Sequence, residues 1–196
     1  MRKVFINCGA RTGNDILNFR HFIDTENEYT YYAFECFPPC LDKLNSIDDV
    51  TVIDKAVSTK EDTLTFFTGK TDYSGSLVNK LNKRAMSGET IQVQSIDFDA
   101  WMKDNIREDD YVVISMDIEG TEYDVLNKMI NTGTINLVNE LYLEFHKKKV
   151  PGLNVKDHDK LRQYLIDMFK DKIYIDKDYN AKAFSTINDD NNERKK

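Results

Sequence analysis

Cysteine, proline and glycine are all scarce in this 196-residue chain, which has three, three and eight of them. Three cysteines cannot build a disulfide scaffold. So little glycine and proline excludes collagen-like and linker-like sequences. Basic charge is also short: 27 Lys and Arg stand against 34 Asp and Glu, for a formal net charge of −7. Such a surface repels phosphate backbones and disfavours a nucleic-acid partner unless the fold gathers a basic patch. Lys147-Lys148-Lys149 is the one compact basic run before the tail, and it reads as a solvated face. Long apolar runs are missing too. Val4-Phe5-Ile6 is interrupted at Asn7, too early for a signal peptide, and no later run approaches the roughly 20 apolar residues of a membrane span. The expectation is a cytoplasmic protein with no membrane partner, whose Cys8, Cys36 and Cys40 are reduced, buried or half-buried thiols. Cys36 and Cys40 could form half of a metal site, but the chain has no second Cys pair and three His.

Large apolar side chains are plentiful: eleven Phe, ten Tyr and one Trp. Short apolar runs alternate with stretches of helical spacing. Strands are expected at 4–6, 31–34, 50–53, 111–116 and 141–143, the last approached through Leu137-Val138. Helices are expected at 15–23, 41–47, 99–105, 121–130 and 156–169. This order argues for parallel βαβ units, hence a doubly wound α/β sheet with helices on both faces. Residues 63–67 and 91–95 alternate like half-exposed strands, 69–89 read as a long loop or broken helix, and 173–175 and 183–187 close the sheet. Residues 1–187 are expected to form a single domain, and 188–196, which lack any apolar residue, a disordered tail.

Ligands of open α/β sheets bind beyond the carboxyl ends of the strands. The first such end, Asn7-Cys8-Gly9-Ala10-Arg11-Thr12-Gly13, carries two glycines that let the backbone turn and approach a ligand, without the three-glycine dinucleotide fingerprint. Glu35 ends the next strand, where a carboxylate can accept hydrogen bonds from ribose hydroxyls. Together they suggest an adenosine-containing ligand. Two later strands end in Asp117-Ile118-Glu119-Gly120-Thr121-Glu122 and in Glu144-Phe145-His146. Asp117 or His146 could act as general base, or Asp117, Glu144 and His146 could hold a divalent cation. Glu119 and Glu122 read as acids favouring the N-terminus of the following helix.

In order along the chain, VFINCGARTGND, YAFECFPP, DKAVS, SIDFDAW, MDIEGTEYDVL and LYLEFH resemble the FkbM family of S-adenosylmethionine-dependent methyltransferases from about Val4 to His146. The resemblance implies a class I methyltransferase fold, Rossmann-like and mostly parallel, with seven strands of which the last is antiparallel. It also implies methyl transfer to a hydroxyl oxygen of a sugar, a glycan or a small hydroxylated metabolite. Carried over by position, Gly9, Arg11, Thr12 and Gly13 match the turn beneath the methionine part of the cofactor, and Glu35 the ribose-binding acid. Cys36 and Phe37 follow near the adenosine, and Ala56 and Val57 border the adenine. Asp117 stands next to the reacting methyl, and Glu144 and His146 match the ending of the fifth strand. Asp117, His146 and Glu144 are the catalytic candidates, with Asp117 and His146 flanking the acceptor. The family usually has an acid where this chain has Asn7, and Asn where it has Arg11. Asn7 can still accept a hydrogen bond from the cofactor's amino group, without the charge-assisted contribution. Other readings are an RNA 2′-O-methyltransferase, a non-catalytic cofactor-binding protein and a nicotinamide-dependent dehydrogenase.

Overall fold

The computed structural model describes residues 1–70, 75–79 and 86–175. The main sheet contains β1 (Lys3–Cys8), β2 (Tyr29–Phe34), β3 (Val50–Ile53), β8 (Tyr111–Met116), β9 (Glu140–Leu143) and β10 (Ile173–Ile175). Their order is β10-β9-β8-β1-β2-β3, and every neighbouring pair is parallel. The expected strand at 183–187 and the tail at 188–196 lie outside the described residues.

Strand alternation divides the apolar side chains of β1 between two cores. Val4, Ile6 and Cys8 join Met102, Leu126 and Leu165, which come from the helices α3 (Phe98–Asn105), α4 (Glu122–Thr132) and α5 (Val155–Phe169). Phe5 joins Ile16, Phe19 and Leu44, from α1 (Asn14–Phe22) and α2 (Pro38–Asn45). Phe5 and Phe19 stack with ring centroids 4.2 Å apart. Helix ends follow local chemistry. Asp97 caps α3 by accepting from the Ala100 N–H, Asn154 caps α5 through Lys156, and Gly133 ends α4 with φ +81°.

Several boundaries differ from the sequence expectations. α2 begins at Pro38, not Leu41, because proline suits the first turn of a helix, where its missing N–H leaves no bond unmade. Leu137 belongs to a 3₁₀ turn over Thr134–Leu137, so β9 starts only at Glu140. The largest correction concerns the middle of the chain. Ala56–Ser58 (β4), Asp62–Gly69 (β5), Gly75–Ser76 (β6) and Met86–Asp97 (β7) form a second sheet of order β4-β7-β5-β6. The described part of the expected 69–89 loop therefore contributes two strands. Residues 86–90 have no apolar alternation to reveal them. Their pairing with β5 is made by the backbone and by hydroxyls, with Thr68 Oγ1 and Ser87 Oγ 2.6 Å apart. A small core of Cys36, Ala56, Phe66 and Val93 sits against this sheet. All three cysteines are buried and free. Among the described residues, no helix is long and apolar enough to cross a membrane.

Candidate functional site

Parallel register brings four loops to one rim. Cys8 pairs with Phe34 and with Met116, and Met116 with Leu143. Each next residue (Gly9, Glu35, Asp117, Glu144) therefore leaves the sheet at the same level. Gly9 (φ +81°) sits so close to β8 that an added Cβ would lie 2.0 Å from the Asp117 carbonyl oxygen. Gly13 (φ +84°) serves packing: a Cβ there would lie 2.2 Å from Ile47 Cδ1. Between them Arg11 is also left-handed, with φ +49°, a conformation asparagine tolerates better than arginine.

Glu35 ties the first two loops together. One carboxylate oxygen accepts the Arg11 N–H at 2.8 Å, and the other accepts those of Cys36 and Phe37 at 2.9 and 2.8 Å. Burial pushes its carboxyl up, against the pull of these three N–H groups. Glu35 borders a cavity of about 300 Å³ that also touches Gly9, Arg11, Cys36, Phe37, Lys55, Ala56, Val57 and Phe66, together with Asp117, Glu119 and Thr121. The Phe37 and Phe66 rings, 5.5 Å apart, make one wall apolar. Phe66 and the cavity-lining segment Gly75-Ser76-Leu77 come from β5, β6 and the residue that follows. Ser76 Oγ donates to the Glu119 carbonyl at 2.7 Å, fastening the second sheet to the rim of the first.

Beyond Asp117 the rim becomes crowded with charge. His146, 4% exposed, turns Nδ1 to Glu122 Oε1 at 3.3 Å. Its Nε2 faces Glu144, Asp117 and Glu119 at 3.5, 3.6 and 3.7 Å. Glu122 is fully buried and accepts the N–H groups of Gly120 and His146 at 2.7 and 2.8 Å. Burial opposes a charge on His146, but Glu122, Glu119 and Asp117 outweigh it and raise its pKa. Burial, and then Glu144, push Asp117 up to about 6. Lys149 donates to Glu119 Oε2 at 2.9 Å, so the third lysine of the basic run belongs to this cluster and not to a solvated face.

Among the sequence candidates, Gly9, Arg11, Glu35, Cys36, Phe37, Ala56, Val57 and Asp117 line the cavity, whereas Asn7, Thr12 and Gly13 do not. Asn7 is fully buried, and neither atom of its amide has a hydrogen-bond partner, although its nearness to Asp15 favours that carboxylate's charge. Glu144 and His146 meet Asp117 in the carboxylate cluster. Sequence reasoning missed Lys55, Phe66, Glu119 and Glu122 as site residues. For Glu119 and Glu122 the signal was present, since an Asp-x-Glu-x-x-Glu run directly after a buried strand puts three acids where ligands bind. Phe66 carried no such mark.

The sequence matches the family described as the methyltransferase FkbM domain over residues 7–179. No curated protein and no solved structure matches the chain.

Proposed function

The chain belongs to the FkbM methyltransferase family, and on that premise we propose that it transfers a methyl group from S-adenosylmethionine to a hydroxyl oxygen of a sugar, a glycan or a small hydroxylated metabolite. The observation that carries this reading is one cavity lined both by Glu35 with the Phe37 and Phe66 rings and by Asp117, whose carboxylate faces His146.

The donor set fits the cofactor. Glu35 spends one interaction of each oxygen or more on backbone N–H groups, but a carboxylate offers about four lone-pair sites and retains capacity for ribose hydroxyls. Phe37, Phe66, Ala56 and Val57 give an adenine ring an apolar slot. When bound, S-adenosylmethionine would supply a methyl group activated on a positively charged sulfur, which would keep the C–S electron pair on transfer to the acceptor oxygen. The protein's part is alignment and proton removal. The rim loops fix Asp117 through its N–H bond to the Cys8 carbonyl at 3.0 Å. The acceptor's proton leaves into the carboxylates around His146, of which Glu144 is the most exposed.

This reading includes a cytoplasmic location, supported by three free thiols, and a single methyltransferase domain over residues 1–187. The test is incubation of the full chain with methyl-labelled S-adenosylmethionine and a panel of sugars and hydroxylated metabolites. An O-methyl product is expected, with loss of its formation in Asp117→Asn. Label confined to nitrogen or carbon products would overturn the oxygen acceptor.

A further inference from the structure

We propose that Asp117, Glu119 and His146 form a binding site for one divalent transition cation of the manganese or zinc type, with Glu122 orienting the histidine. Their ligand atoms lie within 4.8 Å of one another. Two ligands on opposite sides of one ion stand at most about 4.4 Å apart, given metal–ligand bonds of about 2.2 Å, so a slight contraction of the side chains closes the set.

Carboxylates gathered at a strand end are common without an ion, and two further observations separate this group from that case. His146 is 4% exposed, yet its Nε2 points at three carboxylates and makes no good hydrogen bond to any of them. Asp117 Oδ1 is fully buried and has no hydrogen-bond partner. One atom belongs to a buried histidine and the other is a buried carboxylate oxygen, both aimed at the same space, where such groups are ordinarily satisfied by a ligand, an ion or water. On the other side of the ring, Nδ1 lies 3.3 Å from a carboxylate that is itself fixed by the Gly120 and His146 N–H groups. A carboxylate behind a ligating imidazole fixes the tautomer that leaves Nε2 free for a metal.

Charge favours the same occupant. Asp117, Glu119, Glu122 and Glu144 face one imidazole and, among the described residues, one ammonium, that of Lys149 on Glu119. One nitrogen with two or three carboxylate oxygens is a donor set for manganese or zinc, poorer for copper, which favours more nitrogen or sulfur. Glu119 also sits at φ +58°, a left-handed backbone state that a non-glycine residue seldom holds. The ion's role rests on the proposed methyl transfer, although its binding does not. Asp117 and Glu119 line the cavity, so an ion between them would offer open positions to acceptor hydroxyls and lower the pKa of the reacting one. Glu144 remains outside the ligand set to take the proton.

The experiment is titration of Mn²⁺ into the metal-stripped full chain, followed by electron paramagnetic resonance of the free ion. One equivalent should bind, with affinity falling at least tenfold in Asp117→Asn and in His146→Gln and unchanged in Asp62→Asn, a control carboxylate in the second sheet. Excess Zn²⁺ should displace the manganese. In unaltered protein, bound Mn²⁺ should broaden the His146 ring resonances before those of His21 and His158, which keeps the test decisive if a variant fails to fold. No uptake at 1 mM Mn²⁺ (about 4 kcal/mol of binding at most), or uptake that leaves His146 sharp, overturns the site. S-adenosylhomocysteine titrated into the same metal-stripped protein reports on the cofactor reading separately.

Discussion

Two aspartates bracket the same strand and live in opposite surroundings. Asp110 precedes β8 and Asp117 follows it. The Asp110 carboxylate accepts the Arg2 guanidinium and the Arg107 N–H, the latter at 2.8 Å, and Arg2 foremost holds its carboxyl below the usual range. Asp117, half-buried and crowded by carboxylates, is pushed up to about 6, by desolvation first and then by Glu144. The contrast extends along both rims of the sheet. At the amino rim Lys3 pairs with Glu28, Tyr111 donates to Glu140, and the buried Asp24 accepts from Glu28, Tyr29 and Tyr31. At the carboxyl rim stand Asn7, Asp117, Thr121 and His146, which hold all but one of the buried, unpartnered side-chain atoms among the described residues; the other is Arg20 Nε. One sheet thus has a rim that closes its polar groups on themselves and a rim that keeps them available. Stability gathers at the first and chemistry at the second.

The sharpest way to break this division is at Gly9, where the two properties meet. Gly9→Val forces a side chain into the Asp117 carbonyl at a left-handed φ. A loss of about 3 kcal/mol or more is expected in urea unfolding, together with loss of ligand binding. Asp110→Asn should act on stability alone, costing about 2 kcal/mol and leaving S-adenosylhomocysteine affinity unchanged. Its pH signature has a definite sign. A carboxyl held lower in the folded than in the unfolded state stabilises the fold above the unfolded pKa of about 4, and that contribution disappears as pH falls below it. The acid limb of a stability–pH profile should therefore be shallower in Asp110→Asn. Asp117→Asn should do the reverse in metal-free protein, gaining about 1 kcal/mol by relieving carboxylate crowding while methyl transfer falls by at least tenfold. The smallest effect is expected at Arg11, where Arg11→Asn eases the left-handed backbone and raises stability by about 0.5–1 kcal/mol in the same unfolding assay.

The two rims also differed in how far the sequence revealed them. Apolar strands such as Tyr111–Met116 announce themselves because both faces of a parallel sheet are buried, and the residue ending each strand is then a candidate by position alone. Glu35 and Asp117 were legible in that way. The second sheet was not, because residues 86–90 and Gly75–Ser76 pair through backbone and hydroxyl groups that leave no periodic trace. Phe66, which that sheet delivers to the cavity, was hidden with it. Glu122 does stand in the first turn of α4, but its place beneath His146 was hidden for a related reason. An acid in a helix's first turn ordinarily faces water and the helix dipole, and only the return of β9 beside β8 brings His146 over it. The Arg2–Asp110 pairing spans more than half the chain and left no local signal either.

The methyl transfer proposed for the carboxyl rim depends on its binding S-adenosylmethionine with Glu35 on the ribose. Calorimetric titration of S-adenosylhomocysteine into the unaltered chain, Glu35→Ala and Asp110→Asn tests it most directly. Saturable one-to-one binding is expected for the unaltered chain and for Asp110→Asn, weakened about 10–100-fold in Glu35→Ala. Absence of binding at millimolar ligand, or binding indifferent to Glu35, would contradict it.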